Sequence, residues 1–314
     1  MTELVFRALA DESEFALFDS ITTLPTSGVG QRMRPFRELA AEGEYRPEWV
    51  WIAQRDERVV ARAAFSAPHR AEHPWGLDYF DFDTVENGAA LLKAAYAALV
   101  TPDYHSPIGP RPEYNLLLPP DWRERPDAFA EADARIQAAE KAGLTFHVER
   151  LNLRWIPEYG LPPRSTRLAF TPVTDEQVLL DLMVHIVTGS LDAGDQADLR
   201  SMSPKEVAAH LMAMVGDMPG GRDRWRLAYN AAGELVGMVM PTRNDRSATT
   251  GYIGVDHRHR GHGYAYDLLA EAVHIFAAEG EPLIIDNTDV GNHPMAATFE
   301  RIGYRVTGRR ILMA

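Results

Sequence analysis

The chain has 314 residues, of which 46% are hydrophobic and 25% charged, with a formal net charge of −13 and no cysteine. These figures suit a globular protein of about two domains. They exclude disulfides, cysteine-ligated metal and an acyl-cysteine intermediate, and so acidic a balance argues against a nucleic-acid backbone as partner.

The opening segment "MTELVFRALADESEF" is acidic and lacks a basic region followed by an apolar core. No apolar run approaches the ~18 residues of a membrane span. The expected location is the cytoplasm, with no membrane partner.

Taken in chain order, "ALADESEFALFDSI" reads as a strand end, a helix start at Asp11 and a helix-period run. "WVWIAQRDERVVARAAF" gives two strands joined by a polar turn, and "NGAALLKAAYAAL" a helix. "EKAGLTFHVERLNLRW" ends a helix at Gly143 and enters a strand. "PEYGLPPRS", residues 157–165, breaks regular structure and is read as a linker between domains 1–158 and 166–314.

Beyond it the pattern gives strand 168–172, helix 175–189, an acidic loop "LDAGDQADLR" and helix 204–215, which opens with the capping box of Ser203 and Glu206. Strands 225–230, 235–243 and 248–255 follow. Helix 263–279, strand 283–288, helix 293–302 and strand 304–313 complete the chain.

The halves resemble each other. Asp11 and Asp175 open helices, Gly143 and Gly303 close them, and the offset is about 160 residues each time. The expected fold class is α+β: two tandem three-layer domains, each a mixed, mostly antiparallel twisted sheet flanked by helices.

"RGHGYA", Arg260 to Ala265, stands between a strand and a helix. The first N–H groups of a helix have no internal partners and carry the positive end of its dipole. Gly261 and Gly263 let an anion approach the backbone, and Arg260 can add a charge-assisted contact, so a phosphate or pyrophosphate is the natural occupant. A Walker A loop is excluded because no G-K-[ST] follows, and a dinucleotide fingerprint because Tyr266 stands where its third glycine belongs.

The pattern R-x-x-G-x-A of Arg260, Gly263 and Ala265 resembles the coenzyme A signature of the GCN5-related N-acetyltransferase (GNAT) superfamily, [QR]-x-x-G-x-[GA]. "NHPMAATFERIGY" resembles that superfamily's later motif, with Asn292, Gly303 and Tyr304 matching and Phe299 in place of the tyrosine. The resemblance implies an acetyl-CoA-dependent acyltransferase. Acetyl-CoA as cosubstrate would lie along Ile253 to Val255, on Arg260, Gly261, His262, Gly263, Tyr264 and Ala265, and against Asn292. The Val255 N–H would polarise the thioester carbonyl. In the first half, Asp83 and Glu86 align with Arg260 and Gly263. They would repel a pyrophosphate, so that half is expected to be degenerate, structural, and a wall of the acceptor cleft.

Without cysteine, the expected reaction is direct attack by a primary amine of a small molecule in a ternary complex. Asp286 and Asp289 are candidates to receive the amine's proton, with backbone carbonyls and water as the alternative. The usual tyrosine acid is Phe299 here, and Thr298 or Tyr304 would have to substitute. Asp192, Asp195 and Asp198 could attract an ammonium group. His257, His259 and His262 lack a ligand-like setting, so no metal is expected. A mycothiol-synthase-like acetyltransferase and a non-catalytic acyl-CoA-binding or regulatory protein are the alternatives, and monomer and homodimer both stay open.

Overall fold

The structure is a computed structural model of the chain, described here for residues 4–21, 26–32, 34–244 and 246–314. It divides into two compact units, residues 1–149 with 308–314, and residues 150–307. The cut differs from the one expected at 158/166. The Pro-Gly segment 157–165 lies inside the second unit, where the Trp155 indole donates to the Gly160 carbonyl and the His274 ring bonds the Pro162 carbonyl.

The first unit contains β1 (Val5–Ala8), α1 (Phe15–Asp19), α2 (Phe36–Ala41), β2 (Val50–Arg55), β3 (Arg58–Ser66), β4 (Gly76–Phe82), α3 (Val85–Leu99), β5 (Glu113–Leu118) and α4 (Pro126–Lys141). It also holds the start of β6 (Phe146–Trp155). β1 to β4 pair antiparallel in sequence order, β4 meets β5 in parallel, and Arg309–Met313 pair antiparallel with β5. The polar turn between β2 and β3 uses Asp56 and Glu57, both at positive φ. Alternation along the strands feeds two cores. One gathers Ala61, Ala63 and Phe65 with Leu91 and Leu92 of α3 and Ala132 of α4. The other gathers Val50, Ile52 and Ala64 with Phe18 of α1 and Phe36 of α2. The unit is therefore three-layered.

The second unit continues β6 and adds β7 (Ala169–Pro172), α5 (Glu176–Val187), α6 (Ala193–Asp198), α7 (Pro204–Gly216), β8 (Arg226–Tyr229) and β9 (Leu235–Val239). Then come β10 (Thr242–Arg243), β11 (Ala248–Thr249), β12 (Ile253–Val255), α8 (Tyr264–Ala278), β13 (Ile284–Asp289), α9 (His293–Ile302) and the start of β14 (Arg305–Met313), whose residues from Gly308 onward belong to the first unit. The expected capping box at Ser203 and Glu206 is present. Leu182, Ile186 and Val215 pack with Met238 on one side of β8 and β9, while Leu268 and Ala272 of α8 pack with Val236 and Val239 on the other. Layers and mostly antiparallel pairing match the expected fold class.

Two differences from the sequence reading matter. The acidic segment after α5 is not a loop: Asp192 caps α6, accepting from the N–H groups of Gly194 and Asp195. The expected strands 235–243 and 248–255 are each broken. Pro241 interrupts one, and Gly251, at φ +69, turns the other. The inner arms, β9 and β12, belong to the sheet of β7 and β8. The outer arms, β10 and β11, belong with β13 and β6.

Candidate active site

The broken hairpin opens a wedge in the second unit. β11 touches β13 in parallel at a single register, Ala248 with Ile284. After that the strand turns at Gly251, and β12 pairs only with β9, while β13 pairs along its full length with residues 150–155. The two facing edges part and leave backbone groups unpaired.

Which groups these are follows from ladder parity. The Met240 N–H donates to the Tyr252 carbonyl, and the Asp256 N–H to the Val236 carbonyl. In an antiparallel ladder bonded pairs alternate, so Gly254 pairs with Met238 between them. The N–H and C=O of Ile253 and Val255 point the other way, toward the open edge, where the Val255 carbonyl accepts from Arg260 Nε and the two N–H groups have no ladder partner. All three residues of β12 are partly exposed, as an unpartnered edge requires.

Asp286 of β13 holds the apex of the wedge. Its carboxylate accepts from the Thr249 hydroxyl (3.0 Å), the Thr250 N–H (2.7 Å), the Thr250 hydroxyl (2.8 Å) and the Tyr304 hydroxyl (2.9 Å). Burial raises its pKa above the usual carboxylate range and pushes that of the buried Tyr304 hydroxyl well up. The sequence reading made Asp286 a candidate base. The structure corrects this, because a carboxylate buried under four donors has no open position for a substrate proton. Asp289 is committed in the same way: it is buried, accepting from Arg150 Nε (2.8 Å) and the Ala193 N–H (2.6 Å), and so fastens α6 to the sheet.

The phosphate-binding turn has the expected backbone. Gly261 and Gly263 lie at φ +84 and +75, where a side chain is strained. Among the described residues, nothing stands within 4 Å of a Cβ built on Gly261. Gly263 caps α8 with no side-chain bond to its first turn, so those N–H groups face outward. Tyr264 and Ala265 supply the first of them, and the His262 ring stacks against Tyr264.

Arg260 is placed differently from expectation. Its Nε donates to the Val255 carbonyl (3.3 Å), Nη2 to the Ile186 carbonyl (3.1 Å), and Nη1 to the Gly189 carbonyl. It ties the end of β12 to the C-terminal end of α5, where a cation is favoured. The guanidinium thus fixes the turn rather than standing free for an anion. Arg167, which sequence reasoning passed over, braces the other side: it donates to the His262 carbonyl (2.8 Å) and pairs with Asp267. Its position just before β7 gave no local signal.

Asn292 caps α9 by accepting from the Met295 N–H at 3.3 Å. Phe299 is a core residue, 2% exposed and edge-on to Tyr304. Thr298 returns its hydroxyl to the Pro294 carbonyl. Neither Thr298 nor Tyr304 is therefore free to act as an acid. His257 Nδ1 meets the His185 carbonyl, and Asp256 beside it is held by Arg258 at a pKa near 2, its burial outweighed by that partner.

Asp195 stands out within the acidic segment 190–199. It is 3% exposed and accepts from the Tyr252 hydroxyl at 2.7 Å. Burial raises its pKa to about 6, against an opposing hydrogen bond from Ser190. Tyr252 adjoins β12, is partly exposed and packs against the core beneath α5 and α7, so the pair links a buried carboxylate on α6 to the residue that precedes β12.

The first unit contains a matching wedge with different contents. β4 meets β5 only at Gly76 with Glu113 and Leu77 with Tyr114. Beyond that, the Phe80 carbonyl accepts from Arg135 Nε (3.1 Å) and the Leu117 carbonyl from the Gly30 N–H (2.8 Å). Val29 is fully buried beside them, and Ser27 bonds Glu131. α3 is capped by Thr84, whose hydroxyl accepts from the Asn87 N–H, and Glu86 pairs with Lys141. Gly88 is there for packing, since a Cβ would lie 2.5 Å from the Phe82 ring.

Residues 204–304 match the acetyltransferase (GNAT) family. The chain resembles a GCN5-related N-acetyltransferase from Sphaerobacter thermophilus at 15% identity and a TM-score of 0.60, covering 99% of this chain and 94% of that one. It also resembles a tandem GNAT protein from the clavulanic acid biosynthesis pathway at 16% identity and a TM-score of 0.51, covering 99% and 98%. No curated protein sequence matches the chain. Among the described residues no helix is long and apolar enough to cross a membrane.

Proposed function

Because residues 204–304 are an acetyltransferase domain of the GNAT family, we propose that the chain transfers an acetyl group from acetyl-CoA to a primary amine of a small molecule, at the wedge of the second unit. The observation that carries this reading is the pairing of a parted strand edge with an uncapped helix start. The free N–H groups of Ile253 and Val255 lie on one side, and the first turn of α8 beyond Gly261 and Gly263 on the other. An extended arm ending in a pyrophosphate fits both features. Bound acetyl-CoA supplies an activated acyl carbonyl and a thiolate leaving group.

The chain's own residues do the rest. The Val255 N–H, on the free edge, is the donor for the acyl oxygen. Arg260 and Arg167 hold the turn so that its N–H groups converge. Tyr252 receives the amine's proton on its oxygen while passing its own to Asp195, whose raised pKa suits it to accept that proton near neutral pH. A thiol of pKa about 8.5 leaves unaided, so the absence of a tyrosine at 299 does not block turnover. The acidic side chains of Asp192, Asp195 and Asp198 on and beside α6 favour a cationic acceptor. The wedge of the first unit, filled by Val29 and Arg135, binds no coenzyme; that unit is a degenerate, structural relative of the second. The experiment is steady-state release of free CoA across a panel of small amines. Turnover with at least one amine supports the reading. Acetyl-CoA binding with no turnover on any amine favours a non-catalytic acyl-CoA-binding protein.

A further inference from the structure

The first unit also carries a cluster of ligating side chains that acyl transfer does not use. Two of its loops meet there, residues 67–75 between β3 and β4, and residues 100–112 between α3 and β5. They present Glu72, His73 and His105, whose ligand atoms all lie within 4.8 Å of one another. His105 Nε2 is 3.7 Å from Glu72 Oε2, and the His73 and His105 rings meet at 4.7 Å, 77° apart.

The cluster is preorganised in the way a metal site requires. His105 Nδ1 sits 3.1 Å from the Asp103 carbonyl, which only an N–H can satisfy. With Nδ1 donating to that carbonyl, Nε2 is the ring atom on the Glu72 side, the arrangement by which a backbone carbonyl orients a ligating imidazole. The loops are pinned as well. Arg46 Nη2 donates to the carbonyls of His69 (3.0 Å) and Ala71 (2.8 Å), and the Tyr104 hydroxyl to the Pro74 carbonyl (2.8 Å). Bonds of about 2.0–2.2 Å at tetrahedral angles set neighbouring ligand atoms roughly 3.3–3.5 Å apart. The Nε2 to Oε2 separation is within a few tenths of an ångström of that.

We propose that Glu72, His73 and His105 bind a divalent cation of the zinc class. Two imidazoles and one carboxylate suit such an ion better than an oxygen-seeking Ca²⁺ or Mg²⁺. Three protein ligands leave a fourth position open, and the same three side chains line a pocket of about 310 Å³ together with Arg70, Trp75 and Pro107. A water or a small anion completes the shell there, the anion assisted by Arg70.

The test titrates the full chain, stripped with chelator, with Zn²⁺ against a chromogenic competitor, and with Co²⁺ while recording visible absorption. The expected result is one equivalent per chain with a Kd of about 1 μM or tighter, and the strong visible bands of four-coordinate Co²⁺. Glu72→Gln and His105→Ala, both at exposed side chains, should weaken binding at least tenfold with unchanged circular dichroism, and His210→Ala should leave it intact. Less than one equivalent bound, or equal affinity in Glu72→Gln, His105→Ala and His210→Ala, overturns the assignment.

Discussion

The hydroxyl of Tyr252 donates to Oδ2 of Asp195 at 2.7 Å, joining the last residue before β12 to a carboxylate 3% exposed on α6. Burial holds the Asp195 pKa near 6 and lifts that of Tyr252 well above its usual value, the negative charge of Asp195 adding to the effect. If this pair carries the amine's proton, kcat/KM rises as pH passes through about 6 and Asp195 becomes a base. Asp195→Asn should lower kcat/KM about 10²-fold and erase that limb. Tyr252→Phe should also reduce kcat, leaving the KM for acetyl-CoA nearly unchanged. Measuring the pH profile of each variant checks this. An unchanged limb near pH 6 in Asp195→Asn would remove the carboxylate from the reaction.

The same pKa has a stability consequence of opposite sign to a salt-bridged aspartate. The folded state binds the Asp195 proton more tightly than the unfolded chain does. Its carboxylate therefore costs nothing below the unfolded value of 3.8, and the cost grows as pH rises through about 6. Across that interval Asp195→Asn should gain stability relative to the parent as pH rises, levelling off above about 6 at no more than about 3 kcal/mol. Denaturant melts across the acid range give the difference directly. A gap that shrinks with rising pH would contradict the assignment of burial as the cause.

Asp286 should behave as a structural residue. Removing its carboxylate orphans the buried hydroxyls of Thr250 and Tyr304 at the apex of the wedge. Asp286→Ala is expected to cost about 3–5 kcal/mol. Asp286→Asn keeps acceptor and shape, and should retain activity per folded molecule within a few-fold. A loss of several orders of magnitude in well-folded Asp286→Asn would restore the role the sequence reading gave it.

Arg260 is expected to act on binding through geometry. Arg260→Ala frees the carbonyls of Val255, Ile186 and Gly189 and lets the turn drift from α5. The KM for acetyl-CoA should rise about tenfold or more while kcat at saturation holds. The split between KM and kcat is the measurement. A fall in kcat alone would point to a direct role at the reacting atoms.

How much of this was readable from the sequence follows from the range of each interaction. Helices with local start and stop signals were legible almost to the residue: Ser203 with Glu206 for α7, and Gly303 closing α9. So was the glycine turn, because Gly261 and Gly263 are needed for backbone conformation, a local property. The break in the hairpin was signalled by Pro241 and Gly251, yet its effect depends on which sheet each arm joins, and that is set by distant β8 and β13. Asp286 and Asp195 share the carboxylate chemistry but differ in partners 57 residues away or nearer. Their roles could be sorted only once burial was known. Arg167, whose partner Asp267 lies 100 residues on, left no local trace.

The central claim is that one wedge, the one ending at Gly261 and Gly263, takes the coenzyme. Isothermal titration of the full chain with acetyl-CoA tests it most directly, alongside Gly263→Glu, which sets a carboxylate at the uncapped start of α8. One molecule should bind per chain and none detectably in the variant, with the fold preserved. Two molecules per chain, or the same affinity in folded Gly263→Glu, would contradict it.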